Sequence, residues 1–323
     1  MAEIKESTLK IPMRDGHDHQ AIVYKLDNTN LSTETPLIVL IHGGGFSMGG
    51  PKELTAYSRA LASLYNAAVV NIAHCKAPQY RFPIAANDVV DSLKWLGTNA
   101  SSLIGADPAA GFIASGISSG ANLAAVATHK SILEGWTPRI TGLMVALPFM
   151  LHDDMVPDRY KPLYRSREEN ANAKILNAES VRRILDSYRP DIHSVDFSPL
   201  NIPDPAAALQ LMPPVYMEVC GKDPLRDDGL IYEQFLREHV VKTKVDLHEE
   251  LAHGEYVLGT SEVTWRANCD LLNGFGWLLG KTAMEKDIAK VFSQPALMRD
   301  DGIRVESGVD LKLPLPDDLV RPN

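Results

Sequence analysis

The chain has 323 residues, 45% of them hydrophobic and 23% charged, with 32 basic against 41 acidic side chains and a formal net charge of −9. That composition excludes a largely disordered polypeptide, and the diffuse negative charge argues against nucleic acid or an anionic membrane surface as partner. Three scattered cysteines, Cys75, Cys220 and Cys269, argue against a disulfide framework, and the longest apolar run, residues 143–151, is too short for a bilayer.

The length suits one α/β domain over 1–323 with an insertion. The opening MAEIKESTLK lacks the apolar core of a signal peptide, which points to a cytoplasmic setting where the sequons at Asn30 and Asn99 meet no glycosylation machinery.

In chain order, residues 8–26 read as two short strands around the turn Arg14-Asp15-Gly16. Pro36 opens Leu37-Ile38-Val39-Leu40-Ile41, apolar enough for a central strand, and three glycines end it. A helix is expected from about Glu53, a strand over 67–72, a helix over 84–95, a strand over 111–114 and a helix after Gly120. A strand over 140–147 stops at Pro148. Charged, Tyr-rich and Pro-rich sequence then breaks the alternation, and residues 151–210 are read as an inserted cap. The alternation resumes with a strand over 215–219, a helix carrying Tyr232, Phe235 and Leu236, a strand from Val245 to Glu250, and a helix with Leu271, Phe275 and Leu278. The fold is expected to end near Lys281, leaving 282–323 as a tail of unassigned role. Strands separated by helix-length segments predict a mostly parallel sheet with helices on both faces.

The sharpest chemical signal is Gly116-Ile117-Ser118-Ser119-Gly120, a G-x-S-x-G pattern between an apolar strand and a helix. A strand-to-helix turn of this kind holds a serine in strained geometry with its hydroxyl exposed, and side chains at the flanking glycines would clash. Ser115 and Ser119 are rivals, but Ser118 holds the central position. His42-Gly43-Gly44-Gly45-Phe46 follows the central strand, where consecutive glycines let backbone N–H groups approach a carbonyl oxygen. Two nucleotide-binding readings fail on spacing: Met48 stands where a dinucleotide fingerprint from Gly43 needs glycine, and Phe275 where a P-loop ending at Gly280-Lys281-Thr282 needs it.

A serine nucleophile needs a base and a carboxylate to orient that base. Asp223 lies just after the strand over 215–219, whereas Asp227 and Asp228 fall in a helical first turn, where acids favour the dipole. His253 follows a strand and precedes Gly254, in a loop; His248 lies within the strand and reads as structural. His17-Asp18-His19 looks like metal ligation but has no third ligand in view, so no metal is expected there. His42 reads as an anchor of the glycine loop.

Together, residues 42–46, residues 116–120 and Asp223-Pro224-Leu225-Arg226-Asp227-Asp228-Gly229 resemble the hormone-sensitive-lipase-like branch of the α/β-hydrolases, α/β-hydrolase fold-3, over about residues 35–280. The resemblance implies an α/β-hydrolase fold with a cap and a carboxylesterase-type activity on a small-molecule ester. It also implies a triad of Ser118, Asp223 and His253, with an oxyanion hole from backbone N–H groups among Gly43, Gly44 and Gly45 together with that of Ser119. This chemistry requires neither metal nor organic cofactor. The sequence departs from the family pattern at Ile117, Ser119 and Ala121, and has His74-Cys75-Lys76-Ala77-Pro78-Gln79 where the family has a Tyr-Arg-Leu-Ala-Pro-Glu run. The usual N-terminal extension is nearly absent, which leaves the tail as a candidate contributor to the cap.

Within the cap, Met155, Tyr160, Tyr164, Ile175, Leu176, Leu185 and Tyr188, with Met150 at its entrance, can line an acyl pocket or simply pack the cap onto the body. Arg165, Arg167, Arg182 and Arg183 can meet an acidic substrate or form a solvated face. Three functions follow in order: ester hydrolysis, acyl transfer or lactone formation by the same triad, and a receptor-like binding role. Nothing in the sequence fixes the oligomeric state.

Overall fold

The computed structural model describes residues 3–27 and 34–292. Asn30 and residues 293–323 of the tail lie outside them. Eight strands form one sheet: β1 (Ile4–Pro12), β2 (Asp18–Leu26), β3 (Leu37–Ile41), β4 (Ala68–Ile72), β5 (Phe112–Ile117), β6 (Gly142–Ala146), β7 (Val215–Lys222) and β8 (Thr243–Ala252). Their order is β1-β2-β4-β3-β5-β6-β7-β8. β1 and β2 pair antiparallel, as do β2 and β4, and the other neighbours are parallel.

The helices are α1 (Thr55–Tyr65), α2 (Ile84–Ile104), α3 (Ser119–Leu133), α4 (Ser166–Glu169), α5 (Ala178–Tyr188), α6 (Pro205–Ala208), α7 (Arg226–Glu238), α8 (Glu255–Leu258), α9 (Glu262–Leu278) and α10 (Glu285–Val291). Every residue of β3 is buried, and its side chains alternate between two cores. Leu37, Val39 and Ile41 pack with α2, α3 and α7, while Ile38 and Leu40 pack with α1 and α9. The sheet is thereby covered on both faces, which is why the central strands read as unbroken apolar runs rather than alternating ones.

Several elements run further than the sequence suggests. α2 continues through Gly97 to Ile104 and stops at Gly105 in left-handed geometry. Gly97 belongs there because a Cβ at that position would come within 3.0 Å of the Phe112 ring, so its absence lets the helix approach the sheet. β1 starts at Ile4, and its mostly exposed edge pattern hides it from a search for apolar runs. Beyond Lys281, α10 packs on α1 and α9, with Ile288 buried and the Phe292 ring 5.1 Å from that of Tyr57. The packed fold therefore extends past Lys281 to Phe292.

Candidate active site

The sheet register assembles the site at the C-terminal ends of the parallel strands, where α/β folds place their chemistry. Ile41 pairs with Gly116, so two residues further on Gly43 lies beside Ser118. Lys222 pairs with Ala252 after an irregularity between Cys220 and Lys222, which sets Asp223 next to His253.

Ser118 stands between β5 and α3 with φ 57° and ψ −120°, a conformation unfavourable for a residue with a side chain. The flanking glycines make the turn feasible. A Cβ on Gly116 would sit 2.1 Å from the Gly120 carbonyl oxygen, and one on Gly120 would sit 2.3 Å from that of Ile41. The Ser118 N–H donates to Ala146 O at 2.8 Å, tying the turn to β6.

His253 Nε2 lies 3.0 Å from Ser118 Oγ, and its Nδ1 lies 2.6 Å from Asp223 Oδ2. Asp223 is buried, and its other oxygen accepts the Leu225 N–H at 2.8 Å, which fixes the carboxylate plane. Glu255 accepts the Ala252 N–H at 2.9 Å, closing the turn that carries His253. Ser118, Asp223 and His253, distant in sequence, thus form one continuous hydrogen-bonded chain.

Asp227 and Asp228 do different work. Asp227 Oδ2 accepts the backbone N–H groups of Arg165 and Ser166, each at 2.6 Å. Asp228 Oδ1 accepts those of Met150 and Leu151 at 3.0 Å and meets Arg167, whose side chain is 11% exposed. Both acids pin the segment between β6 and β7 to the body. Of the four cap arginines, Arg167 is consumed in this anchorage, Arg183 pairs with Glu179, and Arg165 donates to Pro162 O.

The glycine loop follows β3. Gly44 and Gly45 have φ of 111° and 59°, and Gly44 O accepts the N–H groups of Ser47 and Met48, both at 3.0 Å. Gly43 approaches the serine so closely that a Cβ there would sit 2.9 Å from Ile117 O. Ser119 opens α3, so its N–H belongs to the first turn, whose amides have no intrahelical acceptor. His42 Nδ1 lies 2.8 Å from Gly43 O, and its ring stacks on that of His74 at 4.4 Å. Burial, helped by the neighbouring His74, depresses His42 to about 3, so the imidazole is neutral and serves as an anchor.

Above the loop, α5 packs directly on it. A Cβ on Gly45 would lie 2.7 Å from Ile184, Phe46 stacks on Tyr188 at 4.0 Å, and the Ser47 and Ser187 hydroxyls are 3.2 Å apart. A cavity of about 250 Å³ opens beside Ser118 and His253. Ile175, Leu176, Ser180 and Ile184 wall it from the segment between β6 and β7, Val257 and Leu258 from α8, and Met48 and Leu54 from the body. Ile175 and Leu176 are pocket residues as the cap composition suggested, whereas Tyr160 and Tyr188 are packed into the core. Ile184, Met48 and Val257 carry no sequence signal, since only the fold brings them to the serine.

A model of the alpha/beta hydrolase fold matches residues 38–257. The chain belongs to this family, in its hormone-sensitive-lipase-like, esterase branch. Among similar α/β-hydrolases, an AB hydrolase superfamily protein of Schizosaccharomyces pombe is 28% identical over 286 residues, 88% of this chain and 83% of that protein. Carboxylesterase NlhH of Mycobacterium tuberculosis is 32% identical over 221 residues, 68% of this chain and 66% of that protein. The crystal structure of vibralactone cyclase superposes with a TM-score of 0.80 at 29% identity, covering 87% of this α/β-hydrolase chain and 82% of that one. No helix among the described residues is long and apolar enough to cross a membrane.

Proposed function

We propose that the chain is a serine carboxylic-ester hydrolase with Ser118 as nucleophile, His253 as general base and acid, and Asp223 as the group that orients His253. The observation that carries this reading is the chain of contacts at 3.0 and 2.6 Å from Ser118 Oγ through His253 to Asp223. Ser118 Oγ attacks the ester carbonyl carbon while its proton passes to His253 Nε2. The N–H groups among Gly43, Gly44 and Gly45, with that of Ser119, stabilise the oxyanion. The C–O bond to the alkoxy group breaks, and that group leaves as an alcohol with the proton from Nε2. Water then attacks the acyl-enzyme, giving up a proton to Nε2. The acid leaves, and Ser118 Oγ regains its proton.

Residues 151–210 act as the cap that covers this reaction within a single α/β-hydrolase domain. The cavity's volume and its mostly apolar lining suit a small to medium ester or lactone. The likeness to vibralactone cyclase favours one second reading, in which an alcohol, from another molecule or from the acyl group itself, takes the place of water and yields an ester or lactone.

Short-chain p-nitrophenyl esters, assayed with the wild type and Ser118→Ala, test the shared chemistry. Turnover that disappears in Ser118→Ala is the expected result, and turnover that survives contradicts it. Product analysis with an added alcohol separates the two readings: free acid as main product supports hydrolysis, and ester supports transfer.

A further inference from the structure

His17-Asp18-His19 stands without a third ligand in the sequence, and the fold supplies two from elsewhere. His17 turns to Asp15 at the surface. His19, on β2, meets Asp88 on α2 and Cys75 in the segment after β4, positions 69 and 56 residues away. His19 Nε2 lies 3.1 Å from Asp88 Oδ2 and 3.7 Å from Cys75 Sγ, and all three donor atoms fall within 4.8 Å of one another. The Asp88 side chain is 5% exposed and that of His19 19%, and Cys75 is half-buried.

Hydrogen bonding accounts for part of this arrangement. The Cys75 backbone N–H donates to Asp88 Oδ2 at 2.8 Å, and His19 Nε2–H can donate to the same oxygen. The Cys75 thiol also has the Asp88 carboxylate as an acceptor, so this one side chain gathers the Cys75 N–H, the thiol and the His19 imidazole. A cation in place of the protons between these groups would meet all three donor atoms directly. The two separations from His19 Nε2, 3.1 and 3.7 Å, are close to the tetrahedral edges of roughly 3.3 and 3.5 Å set by zinc bound to nitrogen and oxygen at about 2.0 Å and to sulfur at about 2.3 Å.

We propose that His19 Nε2, Cys75 Sγ and Asp88 Oδ2 form a binding site for a thiophilic divalent cation of the Zn²⁺ type, with water in the fourth position. On binding, the Cys75 S–H bond breaks, the thiolate binds the metal and the proton goes to solvent. The neutral His19 ring carries its remaining proton on Nδ1. Thiolate and carboxylate together balance the dication. The Cys75 N–H bond to Oδ2 uses that oxygen's second lone pair and holds the ligand in orientation. The next residues run on to the glycine loop, with Lys76 Nζ donating to Gly49 O at 2.8 Å and Ala77 N to Phe46 O at 2.9 Å. A bound cation therefore joins β2 and α2 to the segment that braces the loop. The site stands independently of the esterase reading.

The test is equilibrium dialysis of the full chain against Zn²⁺ with metal analysis, beside Cys75→Ser, His19→Gln and a Cys220→Ala/Cys269→Ala control. Circular dichroism checks that each variant folds. One equivalent in wild type and control is expected, with affinity lower by about tenfold or more in Cys75→Ser and in His19→Gln. Substituting Co²⁺ should add a thiolate charge-transfer band that Cys75→Ser lacks. Failure of the wild type to retain one equivalent, or undiminished binding by either folded variant, overturns the proposal.

Discussion

At the scale of single residues, the strand-to-helix turn around Ser118, the proposed nucleophile, was the most legible part of the chain. Gly116 and Gly120 are required because backbone passes within 2.1 and 2.3 Å of where their Cβ atoms would be, and that constraint is what the G-x-S-x-G pattern records. The sequence singled out Asp223 over Asp227 and Asp228 by its place at a strand end rather than in a helix, and Asp223 is the one of the three that lies 2.6 Å from His253. Ile184 and Met48 were not readable, because a pocket wall needs only apolar bulk at a spot that no local pattern marks. Ser118→Ala is expected to lower kcat by about 10⁶-fold and Asp223→Asn by about 10⁴-fold, with the fold retained in both. Steady-state kinetics beside circular dichroism check this. Enlarging the wall with Ile184→Phe should cut kcat/KM for long-chain esters more than for acetates, read across a series of acyl lengths.

At the scale of elements, the sequence marked the centres of strands and helices better than their ends. Tertiary packing carries α2 past the apolar stretch that announces it, because Gly97 lets the helix close on Phe112. In the cap, α5 carries an apolar face at helical spacing, Val181, Ile184 and Tyr188, that the reading of 151–210 passed over, while the four-residue α4 and α6 are too short to show a period and α4 is held by side-chain bonds to the body. Arg167 is central to that anchorage, reaching Asp228 and lying 5.4 Å from the Phe149 and Tyr164 rings. Arg167→Ala leaves a buried carboxylate without its partner and should cost about 3–5 kcal/mol in urea unfolding. The glycine loop makes a second prediction. In Gly43→Ala the new Cβ meets Ile117 O at 2.9 Å, and kcat should fall about 100-fold with little change in KM.

At the scale of the whole molecule, alternating strands and helices made the mostly parallel sheet and its two covered faces legible. The β1–β2 hairpin was announced by its turn, whereas the antiparallel pairing of β2 with β4 and the docking of α10 depend on contacts that no local pattern encodes. Three buried histidines tie stability to pH. Burial depresses His129 to about 3, burial and His74 bring His42 to about 3, and burial lowers His74. For each, the folded value lies below the unfolded one, so the unfolded chain binds more protons and stability falls as pH drops through about 6.5. At pH 5.5 His129 and His42, with folded values near 3, each withdraw about 1 kcal/mol relative to neutral pH, and His74 acts in the same direction. Urea titrations at pH 7.5 and 5.5 measure this, and His129→Gln should reduce the proton uptake on unfolding by about one.

The proposed chemistry converges on one hydroxyl, and the most direct test is peptide mapping of the protein after reaction with a serine-reactive fluorophosphonate, run beside ester turnover. Covalent label on Ser118, with turnover lost in step with labelling, is the predicted result. Label on another residue, or turnover undiminished in the fully labelled protein, would contradict it.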